Sequence, residues 1–259
     1  TFRLVHGSLT HPVFSHLGQA CLDRLEFMRP AKGPRLWLGP SPGGLSVSQP
    51  LDWAHHDPLK GSLARLPGSG YAVVIDTGSW QTHGLHKDWF SEVYKMLSDG
   101  GVYLFAGLGP SSLKELRQTL DQLGLKEAGR LLPQGLTEAW TDMHDLGDEL
   151  QQAGLLSPVM ESDPLRFSYQ TPKQFLKDLR AWPRPGVWRA TYMAKDGPRL
   201  GAQAFKAGFK ALNSPQSAGM VLDWELVVGH AWKPEAITKK KPETEGSGFS
   251  PLKFFRKKP

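Results

Sequence analysis

The sequence predicts an α/β domain: a doubly wound, mostly parallel sheet whose last strands run antiparallel along one edge. Three observations predict it. Short apolar, β-branched runs alternate with amphipathic helical stretches between Val13 and Phe105. Capping and stop signals mark out helices in the second half. Two late stretches, Val159 to Tyr169 and Leu222 to Trp232, alternate with period two, as half-covered strands do.

In chain order, Val13 to Met28 reads as an amphipathic helix, with Phe14, Leu17, Cys21, Leu22, Leu25 and Met28 at three-to-four spacing. Arg35 to Leu38 is a short strand running into the glycine-rich turn Gly39-Pro-Ser-Pro-Gly-Gly44. From Leu45 to Gly70, Pro50, Pro58 and Pro67 leave room for one short element. Tyr71 to Ile75 is a buried strand by its β-branched content, and Asp76 to His83 follows as a loop. Lys87 to Leu97 places Trp89, Phe90, Val93, Tyr94 and Leu97 on one helical side, and Ser98-Asp-Gly-Gly101 turns the chain into a strand from Val102 to Phe105.

Ser112 and Glu115 have the spacing of a capping box that opens a helix to about Leu123. Asp142 precedes a helix from Met143 to Ala153 that stops at Gly154. Thr171-Pro172-x-Gln174 caps a further helix, with Phe175, Leu176, Leu179 and Trp182 on its apolar side. Val159 to Tyr169 and Leu222 to Trp232 close the sheet as a late hairpin. The domain is expected to span residues 1–238, with an N-terminal helix at 13–28, a first half at 34–70 and a second half at 71–233, followed by a basic tail at 239–259.

Composition narrows the function. A chain of 259 residues with 39% hydrophobic content suits one large domain. Of the net charge of +6, a surplus of +5 falls between Lys239 and Pro259, where seven basic residues meet two acids. Basic charge confined to a terminal stretch argues for a flexible tail, not a nucleic-acid-binding face. No apolar run is long enough for a membrane span and no signal-peptide pattern opens the chain. The single cysteine, Cys21, excludes an internal disulfide and fits a cytoplasmic location. Nine histidines include the adjacent pair His55-His56 and the loop residues His83 and His86, but these have no Glu or Cys at metal-ligand spacing.

Five segments carry a resemblance. They are Leu97-Ser-Asp-Gly-Gly-Val-Tyr-Leu-Phe105, Gly109-Pro-Ser-Ser-Leu-Lys-Glu-Leu-Arg117, Asp142-Met-His-Asp-Leu-Gly-Asp148, Ala153-Gly-Leu-Leu-Ser-Pro-Val-Met160 and Val228-Gly-His-Ala-Trp-Lys233. Together they resemble the malonyl-acyl-carrier-protein O-methyltransferases of biotin synthesis, a class I S-adenosylmethionine-dependent family with a Rossmann-like sheet. The resemblance runs in order from Tyr71 to Lys233. It implies methyl transfer from S-adenosylmethionine to a malonyl carboxylate, a displacement that depends mainly on positioning.

The resemblance also implies where the cofactor would sit. Gly39 and Gly43 stand at family glycine positions after the first strand, yet the acid expected two residues before Gly39 is Trp37. Pro40 and Pro42 stiffen that turn. Only 26 residues separate Gly44 from Tyr71, fewer than the ~30 of one strand-helix-strand unit, so at least one unit is missing; Asp52 and Asp57 are the acids left there. After the strand from Tyr71, Gln81 matches the family directly and Asp76 is the candidate polar contact at the strand's C-terminal end. On the substrate side Glu138-Ala-Trp140-Thr141 replaces an arginine-containing family segment. Arg180, Arg184 and Arg189 are candidates for recruiting an acidic partner.

The expected function is therefore that of a methyltransferase-fold protein acting as a binding or regulatory partner without methyl transfer. Its partner would be an acyl carrier protein or an intact methyltransferase homologue. The alternative is a divergent, active O-methyltransferase using S-adenosylmethionine.

Overall fold

A computed structural model describes residues 12–39, 53–56, 68–83, 88–125, 140–175, 197–213 and 219–236. In chain order the elements are α1 (Pro12–Phe27), β1 (Arg35–Leu38), β2 (Trp53–His56), β3 (Tyr71–Thr77), α2 (Ser79–His83), α3 (Trp89–Met96), β4 (Leu97–Leu108), α4 (Lys114–Gln122), α5 (Met143–Gln152), β5 (Leu156–Tyr169), α6 (Gly197–Leu212) and β6 (Met220–Trp232). The six strands form one sheet in the order β2-β1-β3-β4-β6-β5. Pairings among β2, β1, β3 and β4 are parallel. Those of β6 with β4 and with β5 are antiparallel. This is the class I methyltransferase-like sheet expected from the sequence.

Period-two side-chain placement divides the core between the two faces of the sheet. On one face Val73, Ile75, Val102 and Leu104 meet Leu17 and Cys21 of α1, Leu116 and Leu120 of α4, and Phe205 and Phe209 of α6. On the other, Val74, Tyr103 and Phe105 meet Trp80 of α2, Trp89, Phe90 and Val93 of α3, and Leu146 and Leu150 of α5. Every residue of β3 is buried, the polar Asp76 and Thr77 included. Cys21 is a buried free thiol whose pKa burial drives far upward, so it packs as a small hydrophobe. Arg24 fixes α1 over the antiparallel edge, donating to the Val228 carbonyl (3.1 Å) and pairing with Glu161 (2.7 Å).

Four expectations change. The supposed capping box at Ser112 does not form: the residue preceding α4 is Leu113, in the left-handed region at φ 57°. The Ser112 hydroxyl instead accepts from the Glu225 N–H (2.9 Å) and donates to its carbonyl (3.3 Å), so pairing with β6 outweighs local capping. Second, Asp76 and Thr77 extend β3, and the supposed loop after them contains α2. Third, Ser98–Gly101 is a bulge inside β4: Tyr71 pairs with Leu97 but Val73 with Val102. Fourth, β5 and β6 are antiparallel neighbours but not a hairpin, because α6 lies between them in the chain. The sequence reading gave α6 no element.

Elsewhere the local signals hold. Asp142 accepts from the His144 N–H (2.9 Å) at the start of α5. Thr171 and Gln174 form a reciprocal capping box, Gln174 N–H to Thr171 Oγ1 (3.3 Å) and Thr171 N–H to Gln174 Oε1 (3.0 Å). Among the described residues no helix is long and apolar enough to cross a membrane. The basic stretch 239–259 lies outside the described residues.

Candidate cofactor site

In a parallel sheet, ligands bind beyond the C-terminal ends of the strands. Here those ends belong to β1, β2, β3 and β4, and Gly39 marks the first of them. Its φ of +100° is open to glycine but strained for other residues. The Gly39 N–H donates to the His56 carbonyl (3.0 Å), which ties β1 to the end of β2. A carbonyl can only accept, so the His55 Nε2–H donates to the Gly39 oxygen (2.8 Å). On the opposite side, a Cβ placed on Gly39 would lie 2.8 Å from Ser79 Oγ, 3.0 Å from the Thr77 carbonyl oxygen and 3.1 Å from Thr77 Oγ1. The Thr77 hydroxyl also donates to the Leu38 carbonyl (3.4 Å). Both polar groups of the Gly39 backbone are thus occupied, and one flank of the residue is filled by the β3–α2 junction.

Asp76 sits on that junction with no solvent exposure. One carboxyl oxygen accepts from the Ser79 N–H (2.7 Å) and the other bonds the Tyr103 hydroxyl (3.0 Å). Burial pushes its pKa up to about 7, although the Ser79 and Trp80 N–H groups and the Tyr103 hydroxyl pull it back. Asp76 therefore caps the turn into α2 and presents neither oxygen to a ligand. It shares one cluster with Gly39, through Thr77 and Ser79.

Gln81 lies apart, at the end of β4. Its side-chain amide acts as a substitute strand, accepting from the Leu108 N–H (2.8 Å) and donating to the Leu108 carbonyl (2.6 Å). The neighbouring Trp80 indole donates to the Ala106 carbonyl (3.3 Å). Between these two contacts, a Cβ on Gly107 would come within 2.5 Å of the Trp80 ring and 2.6 Å of Gln81 Oε1. Only glycine allows α2 to lie this close to the strand. Replacing Gln81 by Leu leaves two buried backbone groups without partners, at about 1–3 kcal/mol each where water cannot reach them. A Gln81→Leu protein is expected to lose about 2–6 kcal/mol, read as a lower urea midpoint at unchanged slope.

Trp37, which stands where the family acid is expected, is 5% exposed and belongs to the core beneath α1. It meets the Trp53 ring at a centroid distance of 6.0 Å and 59°. The described residues therefore do not fit an adenosyl ligand at this end of the sheet. An indole replaces the acid, the Gly39 polar groups are engaged by histidines, and Asp76 and Gln81 serve neighbouring backbone. Gly43, Asp52, Asp57, Arg180, Arg184 and Arg189 lie outside the described residues. Among the described residues no group of three or more His, Cys, Asp or Glu side chains is placed to hold a metal.

A groove of about 250 Å³ opens between the β4–α4 turn and the β5–β6 pair, lined by Ser111, Lys114, Glu115, Ser162, Asp223 and Glu225 among others. Glu225 organises it, accepting from the Ser111 N–H (2.6 Å) and the Ser162 hydroxyl (2.7 Å). Arg166 grips Asp223 through two bonds of 2.6 and 2.7 Å. None of Ser162, Arg166, Asp223 and Glu225 was singled out from the sequence. Their only signal there is the alternation of β5 and β6, which places them on one face without saying what they meet.

No protein-family model matches the chain. The malonyl-[acyl-carrier protein] O-methyltransferase of Laribacter hongkongensis is 34% identical over 154 residues, covering 58% of this chain and 47% of that enzyme. The enzyme of the same name from Nitrosospira multiformis is 31% identical over 182 residues, covering 70% of this chain and 53% of the relative. The chain thus spans about half the length of the curated relatives it matches. Among solved structures, a candidate methyltransferase from Bacillus halodurans aligns with 83% of this chain and 98% of its own at a TM-score of 0.49 and 11% identity. By its sequence the chain is a divergent relative of the malonyl-[acyl-carrier protein] O-methyltransferases, built on a class I methyltransferase-like sheet.

Proposed function

We propose that the chain keeps the methyltransferase sheet without its cofactor chemistry, and acts in the cytoplasm as a binding or regulatory partner. The observation that carries this reading is the engagement of Gly39: its N–H and carbonyl are bonded to His56 and His55, and Ser79 and Thr77 fill one of its flanks. The commitments of Asp76 and Gln81 to Ser79, Tyr103 and Leu108 support it. The relatives' names supply the partner class, an acyl carrier protein with a malonyl group or an intact enzyme that acts on one. The competing reading, a divergent S-adenosylmethionine-dependent O-methyltransferase on the same thioester, draws on the sequence similarity alone.

A direct assay separates the two. Purified chain is incubated with S-adenosylmethionine and malonyl-loaded acyl carrier protein, and the carrier is weighed by mass spectrometry. The expected spectrum shows no added methyl group, while the unmodified carrier is retained on the immobilised chain. A carrier heavier by one methyl group, formed only when the chain is present, would refute the proposal.

A further inference from the structure

The feature of the fold left unexplained by any binding reading is a buried acid with no cationic partner among the described residues. Asp76 is fully buried where β3 ends and α2 begins. Its hydrogen bonds join three elements: β3 through its own backbone, α2 through the Ser79 N–H (2.7 Å) and β4 through the Tyr103 hydroxyl (3.0 Å). The helix so anchored is five residues long, far too short to persist without tertiary support. Yet it holds β4 at two points, Trp80 to the Ala106 carbonyl and Gln81 to both backbone groups of Leu108. The next residue of the chain, Gly109, enters the turn whose Ser111 and Ser112 bond Glu225 at the groove.

We propose that Asp76 is a proton-linked latch, holding α2 against the C-terminal end of β4 when neutral and releasing it when ionised. The groups that face it set the direction of the response. From β4 comes the Tyr103 hydroxyl, itself raised well above its ordinary pKa, first by burial and then by Asp76. From α1 comes the Cys21 thiol, likewise raised by burial first and then by Asp76, with Arg24 of α1 acting the other way on that thiol. From α2 come the Ser79 and Trp80 N–H groups, and from α3 the Trp89 indole, which acts through Tyr103. β1 sets Leu38 beside it in register. N–H and O–H dipoles soften the burial cost of the carboxylate without cancelling it, and its pKa is pushed up to about 7.

The closed junction therefore retains a proton that an opened, hydrated junction would release at an ordinary carboxyl pKa near ~3.9. Between these two values opening becomes easier as pH rises, and above the upper one the effect levels off. Opening detaches Gln81 from Leu108 and frees the start of the Gly109–Ser112 turn. The latch thus couples the proton concentration to the turn that shapes the groove. This inference does not depend on what the groove binds.

Amide hydrogen exchange on the whole chain tests it. After correction for intrinsic base catalysis, protection of the Ser79, Gln81 and Leu108 amides is expected to fall on the order of tenfold between pH 6 and pH 8. The Val73 and Val102 amides, deeper along β3 and β4, report global opening; that opening also hydrates Asp76 and carries the same pH trend, so these amides are expected to stay better protected than Ser79, Gln81 and Leu108 at every pH. In Asp76→Asn the fall at Ser79, Gln81 and Leu108 disappears. In Tyr103→Phe, which removes one dipole from the carboxylate, its midpoint moves to higher pH. Unchanged protection in the wild-type chain would overturn the latch. So would protection at Ser79, Gln81 and Leu108 no lower than at Val73 and Val102, which would make the opening global, or a midpoint unmoved in Tyr103→Phe.

Discussion

A Gly39→Ala chain is expected to be less stable than the wild type by about 2–5 kcal/mol. Two costs combine. At φ +100° any Cβ is strained against its own backbone, at about 1–2 kcal/mol. The added methyl also enters space held by Ser79 Oγ at 2.8 Å and by the Thr77 carbonyl at 3.0 Å. The hydroxyl can rotate away; the carbonyl belongs to β3 and cannot, so crowding adds about 1–3 kcal/mol. Gly68 provides the control. It has a similar φ, +93°, but a Cβ there would meet nothing within 4 Å. Gly68→Ala should lose only the strain. Urea denaturation of both variants separates the costs, and equal losses would mean that the flank of Gly39 is open after all.

The stability of the chain is expected to carry a pH dependence of unusual sign from Asp76. Its pKa in the folded chain is raised from 3.8 to about 7. Folded protein therefore holds a proton that unfolded chain has already released. The contribution is full below the unfolded value, declines by about 1.36 kcal/mol per pH unit as pH rises, and is lost above about pH 7. Over that window the loss amounts to about 4 kcal/mol, an upper figure because water entry and local relaxation soften buried-charge costs. Asn in its place can accept from Ser79 and pair with Tyr103 without titrating. The stability difference between Asp76→Asn and the wild type, measured in urea from pH 4 to pH 8, should therefore grow in favour of the variant with increasing pH.

Comparing the two chains cancels the other titrating groups. His144, raised first by its hydrogen bond to Asp142, and His230, lowered first by burial, contribute with opposite signs near neutrality. A difference that stayed flat from pH 4 to pH 8 would show that the Asp76 carboxyl is ordinary.

The parts of this fold legible in the sequence are those where local chemistry and tertiary packing agree. Leu36, Trp37 and Leu38 form a buried strand because nothing else suits a short apolar run before a glycine turn. The Asp142 cap and the Thr171–Gln174 box are local bonds, visible as spacing and present as geometry. Where the two levels disagree, spacing misleads. Ser112 had the right neighbour at Glu115, but the β6 backbone offered its hydroxyl both a donor and an acceptor. α2 is too short to leave a periodic trace, and only its contacts with β4 hold it. α6 carries Ala, Gly and Lys among its apolar positions, which dilutes the pattern of Phe205 and Phe209 on the core.

The candidate site was legible to the same degree. That Trp37 could not replace an acid follows from its indole. That Asp76 turns inward to Ser79 and Tyr103 does not, because Tyr103 is 27 residues away in sequence and meets it only across the sheet.

Titration calorimetry with S-adenosylhomocysteine, at ligand concentrations into the millimolar range, tests the central claim most directly. If Gly39, Asp76 and Gln81 are spent on the fold itself, injections should give no heat beyond dilution. A saturable heat with a micromolar dissociation constant would contradict the account and restore the chain to the active methyltransferases.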